Sequence, residues 1–90
     1  RLDQLVSAKN KDKIDELGNN LFTLQNYQRC RQVFEQAVTV FATDASAWNN
    51  LGSCLAYLNK VDEAKDAYKK ALAIDPNLDL AKKGLEALGK

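Results

Sequence analysis

Apolar residues recur along the chain at intervals of three and four, the spacing of one face of an α-helix. Successive runs with this spacing begin at Ile14, Val33, Leu51 and Ala64. No alternation of apolar and polar residues is sustained, and turn dipeptides such as Asn-Gly are missing. The pattern therefore predicts an all-α protein without β-strands.

A 34-residue internal repeat organises these helices. A shift by that length brings the following residues into register: Ile14 with Trp48, Leu17 with Leu51, Gly18 with Gly52, Leu21 with Leu55, Phe34 with Tyr68, and Ala37 with Ala71. The repeat predicts two equivalent units, residues 11–44 and 45–78, each made of two helices around a short turn.

Residues at the ends of the units indicate where helices stop and start. Asn26 and Asn59 can take the positive-φ conformation that ends a helix, and Asp44 can cap the second unit. Pro76 closes that unit, and Asn77 or Asp79 can cap the next helix.

The two ends of the chain fall outside the repeat. Residues 1–10 are predicted to be an N-terminal extension or a lead-in to the first helix. Residues 79–90 begin a third copy and are predicted to form a capping helix that covers the core with Leu80, Leu85 and Leu88.

Glycines at the same position of both units predict close packing. Glycine inside a helix costs about 0.5–1 kcal/mol relative to alanine, so its use at both Gly18 and Gly52 suggests that the missing side chain makes room. We expect the paired backbones to cross there, opposite the small residues Cys30 and Ala64. Trp48 and Tyr68 would then fill the wider space between helices.

These residues resemble the tetratricopeptide repeat, whose signature runs W-x2-L-G-x2-Y, then A-x3-F, then P. The second unit carries Trp48, Leu51, Gly52, Ala64, Tyr68, Ala71 and Pro76, and has Leu55 where the signature has tyrosine. The first unit keeps Leu17, Gly18, Phe34 and Ala37 and departs at Ile14, Leu21, Cys30 and Ala42. The resemblance implies a right-handed α–α superhelix, a solenoid of antiparallel helix pairs. It also implies a concave face, built from the first helix of each pair, that binds a peptide or helix of a partner protein.

The residues expected to face this groove lie one step away from the core stripe. They are Asp15, Glu16, Asn19 and Phe22 in the first unit, Asn49, Asn50, Ser53 and Tyr57 in the second, and Lys83 in the last helix. Asparagine offers a donor and an acceptor, so it matches the backbone of an extended peptide. Aromatic residues can anchor a ligand. Solvation of the polar residues, and packing of the aromatic ones against neighbouring helices, remain the alternatives.

One subclass of the tetratricopeptide repeat family is disfavoured, because the cations that it uses for binding are missing at the corresponding positions of this sequence. Co-chaperones of this family grip a chaperone's C-terminal carboxylate with lysine, asparagine and arginine. Asn19 and Asn50 stand at the two asparagine positions, but Asp15, Leu80 and Gly84 stand where the cations are expected. A carboxylate clamp is therefore not the expected function.

Composition and charge exclude several other functions. The chain of 90 residues has a net charge of +1, which gives no electrostatic reason to bind nucleic acid or an anionic membrane. It has no histidine, and no nucleophile–base pair or phosphate loop, so we expect neither an enzyme, nor a metal site, nor a cofactor. No apolar run approaches the ~20 residues of a membrane span. Because the chain opens on Arg1, we expect it to be a fragment.

Two cysteines bear on the cellular location. Cys30 and Cys54 are 24 residues apart, a separation that is compatible with a disulfide. Two free, buried thiols in a reducing, cytoplasmic setting fit the sequence better, and that is our expectation.

The leading functional hypothesis is a non-catalytic adaptor or scaffold that binds a partner segment in its groove. The alternative is a structural assembly module that stacks on flanking repeats or exchanges helices with another copy as a homodimer, because two repeats and a cap are few for an isolated solenoid.

Overall fold

The computed structural model describes residues 11–89, which form five helices. They are α1 (Lys11–Thr23), α2 (Tyr27–Val40), α3 (Ala45–Tyr57), α4 (Val61–Ile74) and α5 (Asp79–Ala87). No strand occurs between residues 11 and 89, so the predicted all-α class is confirmed. The predicted extension at residues 1–10 lies outside the described residues, and the boundaries drawn at 11–44, 45–78 and 79–90 stay predictions.

The helices stack in the order in which they follow along the chain. Each packs against the next, and α3 also contacts α5 across α4. The stack measures 36 × 26 × 17 Å. Its core is a single cluster of buried residues to which all five helices contribute, as expected of a solenoid in which neighbouring repeats share their apolar faces.

The two turns inside the helix pairs share one geometry. In the first, Asn26 N donates to Leu21 O at 2.8 Å and Gln25 N donates to Phe22 O at 2.9 Å. The second turn repeats both bonds after α3, a Schellman arrangement that requires one residue with positive φ. That residue is Gln25 (φ 63°) in the first turn and Asn59 (φ 62°) in the second. The two residues are equivalent positions of the 34-residue repeat.

The prediction of positive φ was right for Asn59 and wrong for Asn26. The register of 34 residues pairs Asn59 with Gln25, one residue earlier. Asn26 instead caps α2, where its Oδ1 accepts from Arg29 N at 3.4 Å. Asparagine suits both positions, so composition alone did not distinguish them.

The start of α3 is held by an ion pair rather than by a side-chain cap. Asp44 occupies the N-cap position, as predicted, but makes no capping hydrogen bond. Its Oδ2 lies 3.0 Å from Nζ of Lys11, which also lies 2.7 Å from Asp15 Oδ2. The hydrogen bond to Asp15, and then the one to Asp44, raise the pKa of Lys11 against the opposing effect of burial. This cluster joins the start of α1 to the start of α3.

The last helix differs from its prediction in two ways. Leu78, rather than Asn77 or Asp79, holds the N-cap position of α5 and makes no side-chain cap. Leu80 is 65% exposed, whereas its neighbour Ala81 is fully buried. The core stripe of α5 therefore begins one residue later than predicted.

Aromatic rings occupy the space left by the helical glycines. A Cβ built on Gly18 would overlap the ring of Phe34, and one built on Gly52 would lie 2.9 Å from the ring of Tyr68. The prediction of close packing at these glycines is confirmed, but the facing group is a ring rather than Cys30 or Ala64. Gly84 of α5 lies against Tyr68 in the same way.

Trp48 does not share the interior with Tyr68, contrary to the prediction. It is partly buried at the edge of the core, and its Nε1 donates to Ala42 O at 2.9 Å. Nζ of Lys70 lies 5.1 Å from the centroid of its ring. An indole has a polar N–H that needs a partner, and the surface supplies one in the Ala42 carbonyl.

The expectation of two free thiols is wrong. Cys30 of α2 and Cys54 of α3 form a disulfide with their Cα atoms 6.0 Å apart, and both residues are fully buried. The bond ties the two repeats together because it links the second helix of one to the first helix of the next. Sequence spacing could not show that these two positions face each other.

Gly18→Ala is predicted to destabilise the fold. The added methyl group meets Phe34, and overpacking of this kind costs about 1–3 kcal/mol, more than the ~1 kcal/mol gained in helix propensity. The free energy of unfolding, measured with urea, should fall, whereas the exposed-site control Asn20→Ala should leave it equal or higher. Unchanged stability in Gly18→Ala would contradict the contact.

Reduction of the disulfide is predicted to lower stability. A cross-link between residues 24 apart restricts the unfolded chain. Its loss costs about 3.5 kcal/mol in the chain-entropy account. Urea unfolding with and without a phosphine reductant measures the difference, and the Cys30→Ala/Cys54→Ala variant, which lacks both thiols, controls for effects of the reductant itself. An unfolding curve that the reductant does not move would show that the cross-link is not formed.

Candidate peptide-binding groove

Four of the predicted site residues meet between the first helices of the two pairs. Asn19 and Phe22 of α1 face Asn50 and Ser53 of α3 across a cleft of about 130 Å³, here called the α1/α3 groove. Phe34 and Cys54 complete its lining. The 34-residue register places equivalent helices side by side, which is why residues so distant in sequence share one cleft.

The groove is connected to the core through Ser53. Its Oγ lies 3.1 Å from the phenol oxygen of Tyr68, the ring that packs on Gly52 and Gly84. Burial raises the pKa of Tyr68, and the hydrogen bond with Ser53 opposes that rise. Ser53 is thereby held in one orientation, so a ligand in the groove would meet a hydroxyl that is already positioned.

Asn49 and Asn50 have different surroundings although they are neighbours. Asn49 is buried, with 7% of its surface exposed, and its Nδ2 lies 3.5 Å from Oδ1 of Asn50. Asn50 and the exposed Asn19 line the groove, whereas Asn49 does not. In this structure Asn49 therefore has the position of a residue that supports Asn50 rather than one that touches a ligand.

Three aromatic rings pack together at one end of α1 and α3. The centroid of Phe22 lies 5.4 Å from that of Tyr27 and 5.1 Å from that of Tyr57, and the two tyrosines are 4.7 Å apart. Tyr57 remains 60% exposed. Tyr27 was not among the predicted site residues, because it begins α2 and the resemblance pointed only to the first helix of each pair.

The charged site residues lie apart from the cleft. Asp15 is hydrogen-bonded to Lys11, and Glu16 is exposed on α1. Lys83 is exposed on α5. None of the three lines the α1/α3 groove, whose lining is formed by amide, hydroxyl, aromatic and sulfur-bearing side chains.

The described part of the chain lacks the features of two other kinds of site. Between residues 11 and 89, the histidine, cysteine, aspartate and glutamate side chains form no group of three or more that could hold a metal ion. None of the five helices has the length and apolar character needed to cross a membrane.

Comparison with known proteins identifies the repeat. Residues 45–78, which contain α3 and α4, match the family model of the tetratricopeptide repeat. The peroxisomal targeting signal receptor of Saccharomyces cerevisiae is 35% identical over 86 residues, which cover 90% of this chain and 14% of the receptor. The receptor of the same name from Candida albicans is 35% identical over 69 residues, 77% of this chain and 12% of its own length.

A second kind of relative is the BBSome complex member BBS4 of Bos taurus, 27% identical over 70 residues, which cover 78% of this chain and 14% of that protein. The chain belongs to the tetratricopeptide repeat family, and is accordingly a protein–protein interaction module. It spans only 12–14% of the length of these relatives.

Ser53→Ala is predicted to raise the pKa of Tyr68 further above its ordinary value of 10.0, because the hydroxyl that favours the phenolate is lost. A raised pKa in the folded state stabilises the fold below pH 10.0, and this contribution disappears as the pH rises through the folded-state pKa. Titration of the Tyr68 ¹³Cζ resonance measures the shift. Ser46→Ala, which changes an exposed serine on the same helix, is the control, and equal titration curves for both variants would contradict the Ser53 contact.

Proposed function

We propose that this chain is an adaptor module that binds an extended segment of a partner protein along α1 and α3, with one residue of that segment seated in the α1/α3 groove. The observation that carries the proposal is the convergence of two asparagine amides, Asn19 and Asn50, with the fixed hydroxyl of Ser53 around one cleft. Side-chain amides can pair with both the N–H and the C=O of a peptide backbone, which gives binding that depends little on the ligand's sequence.

The aromatic cluster supports a preferred orientation of the ligand. Phe22 belongs both to the groove lining and to the cluster with Tyr27 and Tyr57. An apolar side chain of the ligand would therefore be favoured at that end, where exposed aromatic surface is available for burial. Asn49 would act indirectly, by orienting Asn50, and Glu16 and Lys83 would contribute only long-range charge.

The names of the relatives support a targeting peptide as one candidate ligand. Several of them are peroxisomal targeting signal receptors. A C-terminal Ser-Lys-Leu is a peroxisomal address. Because this chain spans a small part of those receptors, we propose only that its groove forms part of such a site. BBS4 is named as a complex member, which supports binding to another folded protein instead.

We propose a non-enzymatic role. The disulfide between Cys30 and Cys54 argues against the reducing, cytoplasmic setting expected from the sequence, since such bonds are rare there. The second candidate function is assembly, either as a homodimer or on flanking repeats. Ile74 and Leu80, 39% and 65% exposed, support it, because they leave apolar surface exposed on α4 and α5.

The Asn19→Ala/Asn50→Ala variant is predicted to weaken peptide binding by about tenfold or more, since two ligand hydrogen bonds are lost. The probes are peptides selected against the wild-type protein from a random library, together with one fixed peptide that ends in Ser-Lys-Leu. Affinities are measured by fluorescence anisotropy. Chemical-shift changes at Ser53 and Phe22 should accompany binding.

The matched control is Gln32→Ala/Gln36→Ala, which removes two exposed amides from α2, and it should bind the same peptides as tightly as the wild type. Selected peptides that bind the asparagine variant and the wild type equally would contradict the groove proposal. Failure of the Ser-Lys-Leu peptide alone would remove only that candidate ligand. Sedimentation over a range of concentrations separates the adaptor, a monomer, from the assembly module, a dimer.

A further inference from the structure

A second cleft lies on the other side of α3, away from the α1/α3 groove. Its volume is about 200 Å³, and it opens between α2 and α4. Trp48, Leu51 and Leu55 of α3 line its apolar part, and all three belong to the core cluster or pack against it. No residue of this cleft takes part in the α1/α3 groove, so its chemistry is independent of the function proposed above.

The rim of this cleft is acidic. Glu63 and Asp66 of α4 are exposed along one wall, and Glu35 of α2 stands on the other. Glu35 Oε2 accepts from Arg31 Nη1 at 2.9 Å, so its charge is partly balanced within α2. Lys70 is the cation in the lining. Three carboxylates, set against the Lys70 ammonium and the Arg31 guanidinium that pairs with Glu35, leave the rim with one excess negative charge.

A cationic side chain already occupies part of the cleft. Nζ of Lys70 lies 5.1 Å from the centroid of the Trp48 ring, within the range of a cation–π interaction. The indole is held in place because its Nε1 donates to Ala42 O at 2.9 Å. The chain's own lysine thus shows that a cationic head group fits against this indole.

We propose that this acidic cleft binds an arginine side chain of a partner protein. Its volume suits one long side chain rather than a drug-sized molecule, whose pockets begin at about 300 Å³. The aliphatic stem would lie on Leu51 and Leu55, and the guanidinium would reach Glu63 and Asp66. A planar guanidinium can stack on an aromatic face and donate hydrogen bonds to carboxylates at the same time. In the proposed complex it therefore takes the place of the Lys70 ammonium on the Trp48 ring.

The test uses the fluorescence of Trp48, the chain's single tryptophan, which reports on the cleft directly. The probe is the capped peptide acetyl-Ala-Arg-Ala-Arg-Ala-amide. The same peptide with citrulline in place of arginine keeps the planar head and removes the charge. We expect a saturable change in fluorescence with the arginine peptide, weakened by salt, and affinity lower by about fivefold or more with citrulline. Equal binding of the two peptides overturns the proposal.

Two variants make the site assignment specific. Glu63→Gln/Asp66→Asn should weaken arginine-peptide binding by about fivefold or more, and Lys70→Ala should tighten it by about two- to threefold because a competing cation is removed. The charge-matched control Asp79→Asn/Glu86→Gln changes two exposed carboxylates on α5 and should leave the affinity unchanged. Equal weakening in the control, or weaker binding by Lys70→Ala, overturns the proposal.

Two further measurements test whether the α1/α3 groove or a loss of folding accounts for the change in arginine-peptide binding. The Asn19→Ala/Asn50→Ala variant should bind the arginine peptide as tightly as the wild type, because its changes lie in the other cleft. Circular dichroism and thermal unfolding of each variant show whether the fold is kept. Glu63 and Asp66 are exposed, so their substitution should leave the fold intact, and an intact double variant that still binds with wild-type affinity overturns the assignment.

Discussion

The ring of Tyr68 fixes the distance between three helices. It extends from α4 and lies against Gly52 of α3 and Gly84 of α5, at both of which a Cβ would be too close to the ring. Phe34 does the same against Gly18 between α2 and α1. A rigid ring against a bare backbone leaves little freedom in separation or rotation, because protein interiors are packed without spare volume. These contacts set the spacing of α1 from α2, of α3 from α4 and of α4 from α5.

Both candidate binding surfaces depend on that spacing through α3. Ser53 and Asn50 line the α1/α3 groove, and Ser53 also bonds to the phenol of Tyr68. Trp48 and Leu51 line the acidic cleft on the other side. A shift or rotation of α3 would alter both surfaces together. The central helix therefore explains how one small module could present two chemically different sites, one rich in amides and one acidic.

Much of the fold could be predicted from the sequence because the repeat imposes a register. Gly18 and Gly52 are equivalent positions, and the register located their helices and the close packing correctly. Single residues were less predictable where two types suit the same position. Asn26 was given the positive φ that Gln25 adopts, and Leu80 was given the buried place of Ala81. Helical spacing identifies a face, but a neighbouring helix decides which residue of that face is buried.

The candidate site was predicted to a similar extent. The residues that come together as the register implies are Asn19, Phe22, Asn50 and Ser53. The burial of Asn49 and the contribution of Tyr27 depend instead on how adjacent helices meet. The sequence left the disulfide open as an alternative but could not decide in its favour, because it joins the second helix of one unit to the first helix of the next. Such a contact crosses the repeat boundary, and no comparison of one unit with another can reveal it.

Nuclear Overhauser effects between the glycine Hα protons and the aromatic rings test most directly whether these rings set the helix spacing. We expect cross-peaks from Gly18 to the Phe34 ring and from both Gly52 and Gly84 to the Tyr68 ring, with the glycine Hα resonances displaced by the ring currents. Glycine Hα resonances at ordinary positions, without cross-peaks to these rings, would contradict the packing described above.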